Sequence, residues 1–307
     1  MIIVFGSINL DLITRVEAIP GPGETTLGGD YATSPGGKGA NQALAARRAG
    51  AKVAMVGAVG KDAFAGEALA LLKADGVDLS ATREVAAPTG AAFIAVDAHG
   101  ENAIVVASGA NRLATAAQLD QLAMSADDIL VLQRETPPAE VEAAARSAKA
   151  KGARVVLNLA PAGPPSEALL KAVDVLIVNE HEALTLGQSL KLVTHEPEEV
   201  AAHIDRALGV ACIVTLGPAG AVGYWQGGRV AAPAPPVKVV DTTGAGDTFV
   251  GAFAAALDRR LSFEAAMRRG LAAGSLACTK PGAQPSMPYV AEIEALVGEA
   301  GPRSAWP

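Results

Sequence analysis

Short runs of β-branched residues alternate with alanine-rich stretches along most of this chain, and this alternation limits its fold more than any other feature. The apolar runs are IIVFG (2–6), VAMVGAV (53–59), ILVLQ (129–133), RVVLN (154–158), VLIVN (175–179) and CIVTLG (212–217). Strands that are apolar throughout and separated by helices are typical of a parallel sheet covered on both faces. The pattern predicts an α/β protein with a mostly parallel central sheet and helices on both faces. Helices are expected near residues 40–49, 63–75, 138–150, 197–207, 247–258 and 263–279.

Two segments break this alternation. Residues 10–35 carry polar and apolar residues in near alternation with turn residues between them, and residues 91–106 contain AAFIAV and AIVVA around the turn DAHGEN. Such alternation indicates half-exposed antiparallel strands, and the second segment is typical of a hairpin. We therefore predict a small antiparallel β lid made of residues 10–35 and 91–106. The α/β core would then comprise residues 1–9, 36–90 and 107–307.

Charge and composition exclude several classes of protein. The chain has 32 acidic and 25 basic residues among 307, which gives a net charge of -7. Nucleic-acid binders usually carry a basic surface, so no nucleic-acid partner is expected. No apolar run approaches the roughly 18 residues of a membrane helix, and MIIVFGS does not begin like a signal peptide. We predict a cytoplasmic protein without a membrane partner, in which Cys212 and Cys278 are buried thiols rather than a disulfide.

Polar residues follow most of the predicted strands. In open parallel sheets, ligands bind outside the carboxyl ends of the strands, so these side chains should line one crevice. They are Asn9, Asp11, Gln133, Glu135, Asn158, Asn179, Thr215 and, at the end of the sixth strand, Gly217.

The segment DTTGAGDTF, residues 241–249, places an aspartate where a helix is about to start. Unpaired N–H groups and the positive end of the helix dipole make such a start a seat for phosphate. Gly244, Ala245 and Gly246 would supply these N–H groups, and Asp247 would stand beside the anion. A carboxylate in that position is useful if it takes a proton from an attacking hydroxyl.

The segment SPGGKGANQA offers a second group of candidates. Gly37 allows the backbone close to a ligand, while Lys38 and Asn41 offer donors to hydroxyl groups. A glycine-rich loop before a surface helix is an equally good interpretation of this segment alone. It is not a phosphate-binding loop of the GxxxxGK[ST] type, because Gly39 follows the lysine where Ser or Thr is needed.

Three polar strand ends allow both a ligand and a purely structural interpretation. Asn9 and Asp11 project to one side of an extended chain and suit a polyol, or they satisfy local backbone groups. Glu135 would bind a hydroxyl or be a solvated charge. Asn179 and Glu182 can face a hydrated magnesium ion, or form a helix cap with a first-turn glutamate.

Other kinds of active site have little support. The four histidines, at 99, 181, 195 and 203, show no metal-ligand spacing, and no serine lies in a GxSxG nucleophile elbow. The first strand is not followed by GxGxxG, which disfavours a nicotinamide dehydrogenase.

Taken together, GGKGANQA from Gly36 and DTTGAGDTF from Asp241 resemble the two defining motifs of the ribokinase family, the PfkB-type carbohydrate kinases. The resemblance extends from Ile2 to about Val297. Within that family, the sequence is most similar to the ribokinases in GSINLD, PGPGET, QRETP, NLAPA, NEHE, TLG and GAQPSMP. One departure is Leu159, where the family often has proline.

The resemblance implies a ribokinase-like fold and a role for each matching residue. The catalytic base would be Asp247, and the anion hole would be Gly244, Ala245 and Gly246. Sugar ligands would be Asn9, Asp11, Gly37, Lys38, Asn41, Glu135 and Asp247. The nucleotide would contact Asn179, Thr215, Gly217 and Gly246. Glu182 would bind Mg²⁺ indirectly, and K⁺ would be held by Asp241, Thr243, Cys278 and Ser286.

The resemblance also implies an activity and its partners. We expect ATP-dependent phosphorylation of a sugar hydroxyl, D-ribose to D-ribose 5-phosphate, with Mg²⁺ and with K⁺ as a monovalent activator, in a homodimer joined through the lid. A kinase for 2-deoxyribose, 2-keto-3-deoxygluconate or adenosine is the alternative. A non-catalytic sugar sensor is a third hypothesis, although a sensor has no need of the base Asp247.

Overall fold

The secondary structure alternates as the sequence predicts, in a computed structural model that describes residues 1–297. The end of the predicted core, residues 298–307, lies outside the described residues. Numbered along the chain, the strands are β1 (Ile2–Phe5), β2 (Asn9–Arg15), β3 (Tyr31–Gly36), β4 (Val53–Gly60), β5 (Thr82–Val85), β6 (Gly90–Val96), β7 (Asn102–Ala107), β8 (Ile129–Leu132), β9 (Arg154–Asn158), β10 (Val175–Asn179), β11 (Ala211–Thr215), β12 (Ala221–Trp225) and β13 (Gly228–Ala232). The helices are α1 (Lys38–Arg48), α2 (Ala63–Ala68), α3 (Ala70–Ala74), α4 (Pro138–Ala150), α5 (Glu167–Lys171), α6 (Glu180–Ser189), α7 (Pro197–Leu208), α8 (Ala245–Asp258), α9 (Phe263–Ala277) and α10 (Val290–Val297).

The large sheet has the strand order β13-β12-β11-β10-β9-β8-β1-β4-β5. Its strands pair in parallel from β11 to β5, while β12 and β13 add an antiparallel edge. The predicted mostly parallel sheet is confirmed.

Alternate residues of the central strands pack into two separate cores. In β1, Ile2 and Val4 join one apolar cluster, which includes α1, α8 and α9, while Ile3 and Phe5 join the other, which includes α4, α6 and α7. A strand that is buried on both sides must be apolar at every position, which explains the uninterrupted run IIVF. Helices on both faces are therefore confirmed.

A second sheet of four strands has the order β3-β2-β6-β7. The predicted hairpin is β6 and β7, paired antiparallel with Ala91 opposite Ala107, and β2 pairs antiparallel with β3. The central pair, β2 and β6, is parallel, which corrects the expectation of a purely antiparallel sheet. β2 begins at Asn9 and β6 begins at Gly90, each where the chain leaves the α/β core. Both strands therefore run away from the core in the same direction. That this sheet works as a lid, with the predicted boundaries, stays a prediction.

Several elements had no counterpart in the predicted pattern. The hairpin of β12 and β13 turns at Gln226 and Gly227, both with positive φ, and the residues QGG were a usable turn signal.

Both cysteines are free, as predicted; Cys212 is buried and Cys278 is half-buried. Within residues 1–297, no helix combines the length and apolar character that crossing a bilayer requires.

Candidate active site

Asp247 lies in the first turn of α8 and is only 8% exposed. The helical hydrogen bonds begin with the N–H of Thr248, which donates to the Gly244 carbonyl at 2.8 Å. The N–H groups of Gly246 and Asp247 therefore have no acceptor within the helix. A buried carboxylate thus lies beside free N–H groups, as the opening residues of this helix predicted.

The three proposed anion-hole residues are not equivalent. Gly244 caps the helix with φ of 74°, a conformation that favours glycine. The N–H of Ala245 donates to the Thr242 carbonyl at 3.2 Å, so the turn uses it. Gly244 and Gly246 line the adjacent cavity, whereas Ala245 is absent from its described lining. Gly246 and Asp247 therefore offer the free N–H groups, and the role of Gly244, Ala245 and Gly246 as an anion hole stays a prediction.

The start of α1 packs against the end of β1. Gly37 has φ of 87°, and a Cβ there would lie 2.8 Å from the Asn9 nitrogen. The N–H of Lys38 donates to Oε2 of Glu135 at 3.1 Å, and the Ser7 hydroxyl donates to the same oxygen at 2.6 Å. Glu135 is therefore tied to the glycine-rich loop, which excludes the interpretation as a solvated surface charge.

The first turn of α1 brings two amides to Asp247. Nδ2 of Asn41 donates to Oδ2 of Asp247, and Nε2 of Gln42 donates to Oδ1, both at 2.9 Å. Oδ1 of Asn41 is buried and accepts no hydrogen bond from the described residues. A buried acceptor without a donor suits a ligand that brings a hydroxyl.

Asn9 and Asp11 lie on one face of β2, as alternation along the strand predicted. Oδ1 of Asn9 accepts from Nδ2 of Asn111 at 2.7 Å, which leaves the Asn9 amide N–H groups to donate to a ligand. A Cβ at Gly36 would lie 2.3 Å from Oδ2 of Asp11, so a larger residue there would displace this carboxylate. Burial, with the nearby Glu135 and Asp247 carboxylates, raises the pKa of Asp11 to about 6.

A cavity of about 130 Å³ opens beside Asp247. Its lining includes Lys38, Asn179, Glu182 and Thr215, so residues from α1, β10, α6 and β11 meet there. The Asp247 carboxylate raises the pKa of Lys38, against the effect of burial, and Glu135 and Glu182 contribute in the same direction. In the described lining, the ammonium group of Lys38 therefore lies among the carboxylates of Glu182 and Asp247.

Asn179 and Glu182 form a capping box at the start of α6. The Glu182 N–H donates to Oδ1 of Asn179 at 2.8 Å, and the Asn179 N–H donates to Oε2 of Glu182 at 2.9 Å. The structural interpretation of this motif is thus confirmed. Glu182 nevertheless lines the cavity and is buried, and this burial raises its pKa. Its second oxygen, Oε1, takes no part in the cap.

The remaining nucleotide candidates lie where β11 ends. Thr215 donates from Oγ1 to the Val178 carbonyl at 3.4 Å and lines the cavity. Gly217 has φ of 55° and open space around the position of a Cβ. It does not belong to the described cavity lining.

The four residues predicted for K⁺ lie on two neighbouring segments. The Asp241 carboxylate accepts from the N–H and hydroxyl of Thr243 and from the N–H of Gly282. These donors lower its pKa, although burial opposes them. The Cys278 carbonyl accepts from the N–H groups of Val240 and Asp241, so both of its lone pairs are used. Its assignment as a K⁺ ligand stays a prediction. The buried Ser286 hydroxyl donates to Ala283 and keeps its own lone pairs.

Sequence reasoning missed three supporting residues: Ser7, Gln42 and Asn111. Ser7 belongs to the motif GSINLD and Gln42 to the motif GGKGANQA. Both motifs were recognised in the sequence, but the contacts of these two side chains were not predicted. Asn111 lies in GAN, just after the predicted hairpin, and its Oδ1 accepts from the Ile8 N–H at 2.9 Å. No local pattern indicates that contact, because it joins residues 103 positions apart.

Relatives of known function are similar along nearly the whole chain. The ribokinase of Haemophilus influenzae is 40% identical over 291 residues, which cover 93% of this chain and 94% of that protein. The ribokinase of Bacillus subtilis is 39% identical over 302 residues, covering 96% and 99%.

Solved structures agree with the sequence relatives. A ribokinase crystal structure from Thermotoga maritima has a TM-score of 0.89 at 34% identity, covering 96% of this chain and 98% of that one. The Arabidopsis thaliana ribokinase, solved with ribose and ATP, has a TM-score of 0.87 at 32% identity, covering 97% and 99%. Residues 1–289 match the model of the pfkB family carbohydrate kinases, and the chain therefore belongs to this family of kinases.

Proposed function

We propose that this protein phosphorylates D-ribose with ATP to give D-ribose 5-phosphate. The observation that carries the proposal is the position of Asp247, a buried carboxylate that shares one cavity with Lys38 and the free N–H groups of α8. The relatives with the same overall structure include a ribokinase solved with ribose and ATP.

The chemistry follows from this geometry. Asp247 takes the proton of the sugar 5-hydroxyl as that oxygen forms a bond to the γ-phosphorus of ATP. The bond from this phosphorus to the β,γ-bridging oxygen breaks, and ADP leaves. The N–H groups at the start of α8 stabilise the charge on the transferring phosphoryl group. Closure of the small sheet over the site would exclude water, which otherwise competes as the acceptor.

The sugar would be held by donors and acceptors whose orientation is already set. Asn9 offers its amide N–H groups because Asn111 occupies its carbonyl oxygen. Asn41 offers its carbonyl oxygen because Asp247 accepts from its amide. The carboxylates of Asp11 and Glu135 accept from hydroxyls. This set of donors and acceptors favours a polyol with several neighbouring hydroxyls. A sugar that lacks one of these hydroxyls would leave a buried polar group of the protein unpaired.

The site residues also fit the two metal ions that the family resemblance implies. Glu182 lines the cavity, and its Oε1 takes no part in the capping box. Mg²⁺ prefers oxygen ligands while keeping much of its water. Mg²⁺ supplies charge neutralisation for the phosphates of ATP. We assign K⁺ to Asp241, Thr243, Cys278 and Ser286. Asp241 would supply its carboxylate, Ser286 its hydroxyl, and Thr243 and Cys278 their backbone carbonyls.

The substrate assignment is tested by measuring ADP release with ATP, Mg²⁺ and K⁺ and a panel of acceptors. The panel contains D-ribose, 2-deoxyribose, fructose, 2-keto-3-deoxygluconate and adenosine. We expect D-ribose to give the highest kcat/KM. Preference for another member would keep the kinase and reject ribose as its substrate. Ribose binding without any turnover would instead favour the sugar sensor.

The pKa of Asp11 predicts how sugar binding depends on pH. Below about pH 6 the carboxyl is protonated and can no longer accept from two hydroxyls. We expect the KM for ribose to rise as pH falls through 6, and to be high and independent of pH over this range in Asp11→Asn. A wild-type KM that stays constant between pH 5 and 7.5 would contradict the assignment.

The same carboxylate should lower the stability of the fold at neutral pH. Because its folded pKa lies above the ordinary value of an aspartate, the native state binds this proton more tightly than the unfolded chain does. The stability that this proton contributes is lost as pH rises through 6. At pH 7.5 we therefore expect Asp11→Asn to raise the free energy of unfolding by about 1–3 kcal/mol, measured by urea denaturation.

We further propose a homodimer joined through the small sheet, in the cytoplasm. On one face of this sheet, the apolar side chains Tyr31, Phe93 and Val105 are between 50% and 69% exposed. Exposed apolar patches of this kind mark interaction sites. We expect a dimer in sedimentation and a monomer for Val105→Lys. The control Val193→Lys changes a more exposed valine outside this sheet and should remain dimeric. A monomeric wild type, or a dimeric Val105→Lys variant, would contradict the interface.

A further inference from the structure

Two buried glutamines extend the contacts of Asp247 into the core. Nε2 of Gln42 donates to Oδ1 of Asp247 at 2.9 Å and to Oδ1 of Asn158 at 3.0 Å. Nε2 of Gln133 in turn donates to Oε1 of Gln42 at 2.7 Å. Both glutamines are completely buried. They lie on α1 and just after β8, so the series of amides runs from the large sheet to the first turn of α8.

The direction of these hydrogen bonds is imposed from one end. An ionised carboxylate only accepts, so Gln42 must turn its amide N–H groups toward Asp247. Its carbonyl oxygen then needs a donor, which Gln133 supplies. Without that donor, Gln42 can satisfy its oxygen only by rotating its amide, which would bring an oxygen against the carboxylate. Gln133 therefore fixes which group Gln42 presents to Asp247.

The backbone makes room for this arrangement. A Cβ at Gly6 would lie 2.0 Å from Oε1 of Gln133, so glycine at the end of β1 is needed for the glutamine to fit. Oε1 of Gln133 accepts no hydrogen bond from the described residues. A buried acceptor without a donor costs stability. The Gln133 side chain therefore lowers the stability of the fold through its unpaired oxygen, while its N–H group donates to Gln42.

We propose that Gln133 is a positioning residue for phosphoryl transfer, which acts through Gln42 to hold the Asp247 carboxylate. The inference rests on the proposed function, in which Asp247 is the general base. Gln133 lies outside the described cavity lining, and we place it in contact with neither substrate. Its loss should therefore change the rate of the chemical step and leave the binding of both substrates unchanged.

The test is a double-mutant cycle between Gln133 and Gln42. Methionine has about the volume of glutamine and no N–H group, so Gln133→Met removes the donor with little change in packing. We expect it to lower kcat about tenfold and to change the KM values for ribose and ATP less than twofold. In a Gln42→Met background, the same substitution should change kcat by less than twofold, because the residue through which it acts is gone.

A matched control separates this role from general damage to the core. Gln118 is 2% exposed, and its Nε2 donates to the carbonyls of Gly57 and Ala81, both at 2.8 Å. Gln118→Met should lower the Tm at least as much as Gln133→Met and leave kcat unchanged. Should Gln133→Met fail to fold, Gln133→Leu replaces it, because leucine also offers no N–H and brings no charge into this buried position.

Each outcome decides the inference. A kcat for Gln133→Met within twofold of wild type would overturn it, as would equal and independent losses in the wild-type and Gln42→Met backgrounds. A comparable loss of kcat in Gln118→Met would show that any defect in the core slows the enzyme. Failure of the proposed function is a separate result, because Asp247→Asn would then retain near-normal turnover whatever Gln133 does.

Discussion

Asp247→Asn should lower kcat by at least about 10²-fold, the range expected for loss of a general base, while the KM values for ribose and ATP change less than about threefold. The amide cannot take the proton of the sugar hydroxyl, although its size is almost unchanged. Its new N–H group would also face Asn41 or Gln42, which both donate to this position. Single-turnover measurement of ADP formation at saturating ribose and ATP tests the chemical step directly.

The matched control for this variant is Glu180→Gln. Glu180 is an exposed carboxylate in the first turn of α6, close to the site but outside its cavity lining. The same change of carboxylate to amide should leave kcat within about twofold of wild type. Near-normal turnover of Asp247→Asn would reject Asp247 as the base and with it the mechanism.

Gly251→Ala should lower both stability and activity. A Cβ at this position in α8 would lie 2.6 Å from the Ala45 Cβ and 2.6 Å from the Gln42 carbonyl oxygen. These neighbours are backbone or the first side-chain carbon of α1, so the helices must separate. Overpacking of this kind costs about 1–3 kcal/mol. Because α1 carries the two amides that bind Asp247, we also expect kcat to fall about tenfold or more, in line with the cost of misplacing catalytic groups.

Gly66→Ala is the matched control for that substitution. Gly66 lies within α2, and a Cβ there would have no atom within 4 Å. Alanine favours a helix over glycine by about 0.5–1 kcal/mol, so this variant should be slightly more stable and fully active. Thermal unfolding and kcat of the two variants test the pair. An unchanged Tm and kcat in Gly251→Ala would show that α1 and α8 can separate without consequence.

Elements with a strong local pattern were predictable. β1, β4, β8, β9, β10 and β11 were all visible as apolar runs, and the hairpin of β6 and β7 followed from its turn. The parallel pairing of β2 with β6 was not visible, because strands so far apart in the chain share no turn that sets their direction. β5, with the sequence TREV, has only one buried residue and therefore no apolar run to detect.

The site was predictable where a motif carries the chemistry in consecutive residues. Asp247 follows the glycines of its own helix start, and Lys38 and Asn41 follow those of α1, so their types and order could be read directly. The motif of Asn179 and Glu182 was ambiguous, because an Asn cap with a third-position glutamate has the same sequence whether or not it also faces an ion. Whether Glu182 is buried in the cavity depends on the residues that pack around it, and its own motif does not indicate them.

The chain alone was sufficient for the α/β class, the two glycine-rich helix starts and the acidic residue that one of them carries, because periodicity and turn chemistry are local. Only the tertiary structure decided which N–H groups remain free, that the Cys278 carbonyl is already occupied, and that Gln133 orients Gln42 against Asp247. Hydrogen bonds of the last kind join residues 91 and 205 positions apart. Their geometry depends on how closely α1, α8 and the sheet pack, and that packing has no local signal in the chain.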